Sequence, residues 1–219
     1  MLPTILAFDT SSTACSVAIQ KGKETKGLHK IAPMQQAKLI LPMIQELLTD
    51  LSLSFSDLDA IAFGAGPGSF TGIRIASSVA QGIAFAAQKP VISVSSLAVL
   101  AQSAYLEHEC SRMLVAVDAR MDQVYFAEYE IGQSGIVELI GEEKLCYPAD
   151  LVINKTDEWC GVGDGFAKLS IQPANIYSTV SHQALALLPL ALKKFEKSQC
   201  VAAAAALPSY LRRDENGWN

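Results

Sequence analysis

Ile5-Leu-Ala-Phe-Asp9, followed by a Thr-Ser-Ser-Thr turn and the run Cys15-Ser-Val-Ala-Ile19, has a second copy in the same chain: Leu114-Val-Ala-Val-Asp118 followed by Val124-Tyr-Phe-Ala-Glu-Tyr129. In both copies an apolar run ends on aspartate, and the next apolar run begins six residues later. Short apolar runs bounded by turn residues read as buried strands, and a recurrence of the whole unit reads as a duplication. The chain is therefore expected to hold two α/β halves, residues 1–108 and 109–219, meeting near the polar stretch His108-Glu-Cys-Ser-Arg112.

Working outward, periodicity predicts strands over 4–8, 14–20 and 24–30 and a helix over 36–51. Its apolar positions 37, 40, 41, 44, 47, 48 and 51 follow helical spacing, with Pro42 expected to kink it or to lie near its first turn. A strand over 59–63, a helix over 71–88, a strand over 91–94 and a helix from 95 or 96 to about 107 complete the first half. The second half is expected to carry strands near 124–130, 136–145 and 159–162, a glycine turn at Gly161-Val-Gly-Asp-Gly165 and a last helix over 181–196 containing Pro189. Ala202 to Ala206 fits a helix or a small-residue strand equally.

Between strand 59–63 and helix 71–88 lies Gly64-Ala-Gly-Pro-Gly-Ser-Phe-Thr-Gly-Ile-Arg74, four of its first nine residues being glycine. Strand, glycine turn and helix start are how nucleotide folds build a phosphate site, because N–H groups at a helix start attract anions. A P-loop would need Gly-Lys-Ser/Thr at the helix entrance. The chain has Phe70-Thr71-Gly72-Ile73-Arg74 instead, and no GxGxxG spacing fits. A tight turn packing a helix on a sheet explains the glycines as well, with Ser69 and Thr71 as helix caps.

Helix 71–88 is apolar around most of its circumference. Ile75, Val79 and Ile83 adjoin faces of Ala76, Ala80, Ala84 and Ala87, and polarity is confined mainly to Arg74, Ser78, Gln81 and Gln88. One face can cover a sheet; the other needs a second cover, from a partner or from another helix of this chain. The contact residues expected are Ile75, Val79, Gly82, Ile83 and Ala86.

Half of the residues are hydrophobic, ample for a packed core, and no apolar stretch reaches transmembrane length. Five cysteines without a CxxC pair signal neither a disulfide framework nor a zinc site and fit a reducing cytoplasm. A net charge of −5 argues against this chain gripping nucleic acid by itself. The basic spots at Lys193, Lys194 and Lys197 and at Arg212-Arg213 read as solvated surface. His29, His108 and His182 are far apart, with no HExxH, so no metal set is read. GxSxG is also absent, since Gly68-Ser-Phe-Thr-Gly72 has one residue too many.

A duplicated strand–Asp-turn–strand unit resembles the two-lobed actin, hexokinase and Hsp70 superfamily, a duplicated ribonuclease H-like α/β fold. Ile5-Leu-Ala-Phe-Asp-Thr-Ser-Ser-Thr-Ala-Cys-Ser-Val-Ala18, Gly66-Pro-Gly-Ser-Phe-Thr-Gly-Ile-Arg74, Val117-Asp-Ala-Arg-Met-Asp-Gln-Val-Tyr125 and Pro208-Ser-Tyr-Leu-Arg212 narrow this, over essentially the whole chain, to a resemblance to the TsaB (YeaZ) family. The resemblance implies a non-catalytic scaffold subunit in threonylcarbamoyl transfer to adenosine of tRNAs reading codons that begin with adenine. Its implied partners are the catalytic subunit TsaD, the ATPase TsaE and a second copy of the chain. tRNA would be held mainly by other subunits. It further implies ATP or ADP at the subunit junction rather than an intrinsic cofactor, with Gly66, Gly68, Ser69, Thr71, Gly72 and Arg74 as a shared phosphate edge. Asp9 and Asp118 sit where the superfamily's phosphate-side acids sit; as residues alone they read more readily as turn formers making local Asx bonds than as metal-bound acids. The wider group has been called glycoproteases, and an autonomous ATPase or a peptidase is the alternative. Where relatives carry His-Ser or His-Thr at the first long helix, this chain has Gln36-Ala37, which removes a cap.

Overall fold

The structure is a computed structural model that describes residues 2–153, 158–171 and 173–212. In chain order the first stretch holds β1 (Ile5–Asp9), β2 (Ala14–Lys21), β3 (Glu24–Ile31), α1 (Gln36–Asp50), β4 (Ala60–Gly66), α2 (Phe70–Ala87), β5 (Val91–Ser95) and α3 (Ser96–His108). It continues with β6 (Arg112–Arg120), β7 (Gln123–Ile131), β8 (Val137–Cys146), β9 (Cys160–Val162), β10 (Asn175–Tyr177) and α4 (Ala184–Glu196).

The duplication holds strand for strand. The first sheet has the order β3-β2-β1-β4-β5, and the second, read as β8-β7-β6-β9-β10, has the same order. In each, the opening strand pairs antiparallel with the next one and parallel with the fourth: Phe8 lies opposite Val17 and Phe63, and Leu114 opposite Glu128 and Gly161.

β1 is apolar on both sides because both faces of the first sheet are covered. Leu6 and Phe8 enter one core with Ile40, Ile44 and Leu48 of α1 and Ala76, Ala80 and Ile83 of α2. The opposite face belongs to α4, whose Ala184 N–H donates to Ser16 Oγ (2.8 Å) and whose Leu185 packs on Gly27. The core side of α1 consists of Ile40, Met43, Ile44, Leu47 and Leu48, whereas Ala37 and Leu41 of the expected stripe are exposed. The helix runs through Pro42, and in place of a cap Gln36 is buried and donates to the Ser12 carbonyl (2.7 Å). Ala203–Ala205 forms a 3-10 turn against α2. There Ser77 Oγ and Gln81 Nε2 both donate to the carbonyl of the buried Ala206 (2.6 and 3.2 Å).

The described residues form two compact units, 2–99 with 182–208 and 100–181 with 209–212. The boundary expected at residue 108 is thus displaced into α3, and the region expected as one half, 109–219, is divided. The reason is that α4, with Ala184, Leu187, Leu188 and Ala191 buried, supplies the second cover that the fully buried β1 requires. In the second unit 3-10 turns at Pro148–Asp150 and Asp164–Lys168 stand where the first has α1 and α2. Its core gathers Leu114, Ala116, Phe126, Trp159 and Phe166. The buried Gln102 of α3 bonds the β7–β8 turn, donating to the Gly135 carbonyl (3.0 Å) and accepting from Val137 N–H (2.9 Å).

Candidate partner face and the two aspartate turns

Both aspartates close Asx turns of the same form. Asp9 Oδ1 accepts from the N–H and the hydroxyl of Ser11 (both 2.7 Å), and Asp118 Oδ1 accepts from the N–H of Arg120 (2.7 Å). A carboxylate bonding the backbone two residues on is the local device by which Asp initiates a turn. Asp9 is 1% exposed, and its Oδ2 accepts from Ser96 Oγ (3.3 Å), which in turn accepts from the Gly66 N–H (3.1 Å).

The glycine loop folds onto this first turn. Gly66–Pro67 is a cis peptide. Ser69 N–H donates to the Ser11 carbonyl (2.7 Å), Thr10 Oγ1 to the Gly72 carbonyl (2.7 Å), and Ser69 Oγ caps α2 by accepting from Gly72 N–H (3.3 Å). A side chain at Gly72 would come within 1.9 Å of the Thr10 carbonyl oxygen, and one at Gly64 within 1.7 Å of Asp9 Oδ2. Of the expected phosphate edge, Gly68, Ser69 and Gly72 therefore sit against the β1–β2 turn and Gly66 bonds Ser96, and the N–H groups of Gly66, Ser69 and Gly72 already have protein acceptors. Thr71 and Arg74 are exposed, and the Arg74 guanidinium lies 3.5 Å over the Phe70 ring.

Asp118 has a cation that the residues alone did not point to: Lys168 Nζ is 2.7 Å from its Oδ1, and Arg120 is 3.5 Å from Oδ2. Its N–H donates to Asp164 Oδ1 (2.9 Å). The Lys168 hydrogen bond, more than the Arg120 N–H and the two positive charges, holds the Asp118 carboxyl below its ordinary 3.8. Because the folded value is the lower one, the pair contributes its full stabilisation above that ordinary value and loses it as pH falls through the depressed one. Lys168→Met is expected to cost about 1 kcal/mol at neutral pH, the usual worth of a partly exposed charge-assisted bond. Acid unfolding curves should show variant and parent converging once Asp118 is protonated in both; a cost that persisted there would assign the loss to packing.

The outward face of α2 is a single stripe. Thr71, Arg74, Ile75, Ser78, Val79, Gly82, Phe85 and Ala86 follow helical spacing and are exposed or half-buried, while Gly72, Ile73, Ala76, Ser77, Ala80, Ile83 and Ala84 face the core. Four of the five expected contact residues, Ile75, Val79, Gly82 and Ala86, share this stripe, with Ile75 and Val79 half-buried against the first core. Ile83 does not: it is 8% exposed and packs with the first core. In its place stands Phe85, 81% exposed, whose spacing from Gly82 and Ser78 put it on the outward face. Among the described residues no three metal-ligating side chains gather, and no helix is long and apolar enough to cross a membrane.

Two α/β units of identical strand order, each opened by an aspartate turn, define the duplicated actin-like class, the two-lobed ribonuclease H-like fold that the sequence repeat predicts. The family model described as TsaD, tRNA N6-adenosine threonylcarbamoyltransferase, matches residues 28–217. The tRNA threonylcarbamoyladenosine biosynthesis protein TsaB of Escherichia coli is 35% identical over 96% of this chain and 95% of its own length, and that of Haemophilus influenzae is 36% identical over 96% and 94%. YeaZ from Pseudomonas aeruginosa superposes with a TM-score of 0.91 at 41% identity, over 95% of this chain and all of that one. The chain belongs to the TsaB (YeaZ) family.

Proposed function

We propose that this chain takes part in tRNA threonylcarbamoyladenosine biosynthesis as a scaffold, docking a TsaD-type catalytic subunit through the outward stripe of α2 and turning nothing over itself. The observation that carries the reading is the exposed group Gly82, Phe85 and Ala86, with Phe85 at 81% exposure, beside Ile75 and Val79, which are half-buried against the first core. An exposed aromatic beside half-buried aliphatic side chains is what a helix-on-helix partner needs, and the small Gly82 and Ala86 admit close approach. The names of the relatives supply the pathway.

The aspartates favour a scaffold over an autonomous ATPase, because each carboxylate is engaged in its own turn and Asp118 is also paired with Lys168. Nucleotide at the junction would meet Arg74 and Thr71, the exposed members of the loop edge. A TsaE-type ATPase and tRNA would join through the assembled complex, in the cytoplasm, since the chain's charge of −5 disfavours holding tRNA unaided. The same stripe would serve a homodimer, so self-pairing and TsaD pairing should exclude one another.

Reconstitution tests this reading. The chain, a TsaD-type subunit, a TsaE-type ATPase and unmodified tRNA are combined with threonylcarbamoyl donor, and modified adenosine is quantified with each protein omitted in turn. Modification is expected to need this chain, while the chain alone consumes neither ATP nor peptide. Modification at full rate without it would overturn the proposal.

A further inference from the structure

The second unit has a cleft that neither the partner face nor the aspartate turns use. It is a cavity of ≈ 370 Å³ on one face of β6, β7 and β8, within the size range of small-molecule sites. Strand register sets the face beneath it. Leu114, Glu128 and Ile140 stand in one cross-strand row, and Arg112, Glu130 and Glu138 in the next. Trp159, 8% exposed, and Val152, 81% exposed, complete the apolar walls. Charge on this face is poorly matched. Glu130 lies opposite an arginine on one strand and a glutamate on the other, but the Arg112 guanidinium is taken by Glu158, with Nη1 2.7 Å from Oε2. Among the described residues neither Glu128 nor Glu130 takes part in an ion pair. Glu128 is half-buried between the aliphatic Leu114 and Ile140, where a carboxylate loses hydration without gaining a cation. Glu130 and Glu138, like charges directly opposite, weaken the sheet further. Packing gives no reason for carboxylates at these positions.

We propose that this cleft binds an aliphatic diamine in its doubly protonated form. With Arg112 and Glu158 cancelling one another, the lining keeps the two negative charges of Glu128 and Glu130, which a dication neutralises. Glu128 and Glu130 are two residues apart on one face of β7, so their carboxylates leave the strand about 7 Å from each other. An extended diamine with a short methylene chain spans that distance and sets one ammonium at each carboxylate. Its methylenes then cover Leu114 and Ile140, and Trp159 is the aromatic side chain that attracts an ammonium most strongly. A monoamine would leave one carboxylate unanswered. A phosphate or carboxylate ligand would meet net repulsion, and a neutral one would leave both charges as they are.

The full chain is titrated with putrescine by calorimetry at low ionic strength, with n-butylamine and butanediol as the singly charged and neutral counterparts. One saturable site is expected, taking putrescine about tenfold more tightly than n-butylamine and leaving butanediol unbound. Glu128→Gln and Glu130→Gln should each weaken putrescine to the level of the monoamine, whereas Glu46→Gln, at an exposed acid of α1, should change nothing. Amide and indole chemical shifts should move on β7 and at Trp159. No saturation at millimolar putrescine, equal affinity for the two amines, or shifts confined to other elements would each overturn the site. An equal loss from Glu46→Gln would assign the binding to the chain's overall negative charge and overturn it too. The wild-type titrations and shift map decide the matter even if a glutamine variant fails to fold.

Discussion

Gly72→Ala and Gly82→Ala, the same substitution on the same helix, are expected to shift stability in opposite directions. At Gly82 nothing lies within 4 Å of the added methyl, so the gain is that of alanine over glycine in a helix, up to about 1 kcal/mol. At Gly72 the same gain is outweighed. The methyl would sit 1.9 Å from the Thr10 carbonyl oxygen and 3.0 Å from its carbon, both backbone atoms of a turn already tied down by the Asp9–Ser11 and Thr10–Gly72 bonds. Neither side can yield without moving α2 away from β1, and overpacking of that kind costs about 3 kcal/mol. Urea unfolding of the isolated chain, followed by far-ultraviolet circular dichroism, should show a lower midpoint for Gly72→Ala and an equal or higher one for Gly82→Ala. An unchanged midpoint for Gly72→Ala would mean that the glycine loop does not press on the aspartate turn.

Phe85→Asp is expected to leave the chain folded and to weaken pairing strongly. The side chain is 81% exposed, so a carboxylate there remains solvated in the free chain, but in a helix-on-helix contact it would be buried without a partner. Losing an exposed aromatic anchor and burying a charge should weaken association by about 3 kcal/mol, roughly 100-fold. Sedimentation velocity with a TsaD-type subunit, and with the chain alone, measures the effect on both kinds of pairing. Ile83→Asp is the contrasting case: at 8% exposure it places a charge in the first core and should unfold the unit. A soluble, folded Phe85→Asp chain that still pairs at wild-type strength would remove α2 from the interface.

The strands were legible because the signals that make them are local. Alternation and apolar runs placed β1, β2 and β7 within a residue or so, and a carboxylate bonding two residues ahead places an Asx turn wherever Asp follows a buried strand. β10 escaped notice because three residues, Asn175–Tyr177, carry too little pattern. The stripe expected on α1 was partly misdrawn for another local reason: Ala37 and Leu41 are apolar but turn outward, and Met43 takes the core position. Arg213, grouped with Arg212 as a basic spot, lies outside the described residues. Arg212 itself donates to the Ala119 carbonyl (3.1 Å) at the foot of the second aspartate turn, a contact made across the chain that no local pattern announces.

By itself, then, the sequence determined the duplicated α/β architecture, the two aspartate turns and the need for a second cover on α2. These follow from hydrogen bonds and apolar periods spanning a few residues. Only the tertiary structure decided which side of that helix stays open. A helix apolar all round does not mark its own core side, so the choice between Ile83 and Phe85 falls to α1, the sheet and the 203–206 segment packed against it. The same holds for α4, which returns to the first sheet because β1 must be covered on both faces, and for Lys168, which meets Asp118 only once the strands of the second sheet are side by side.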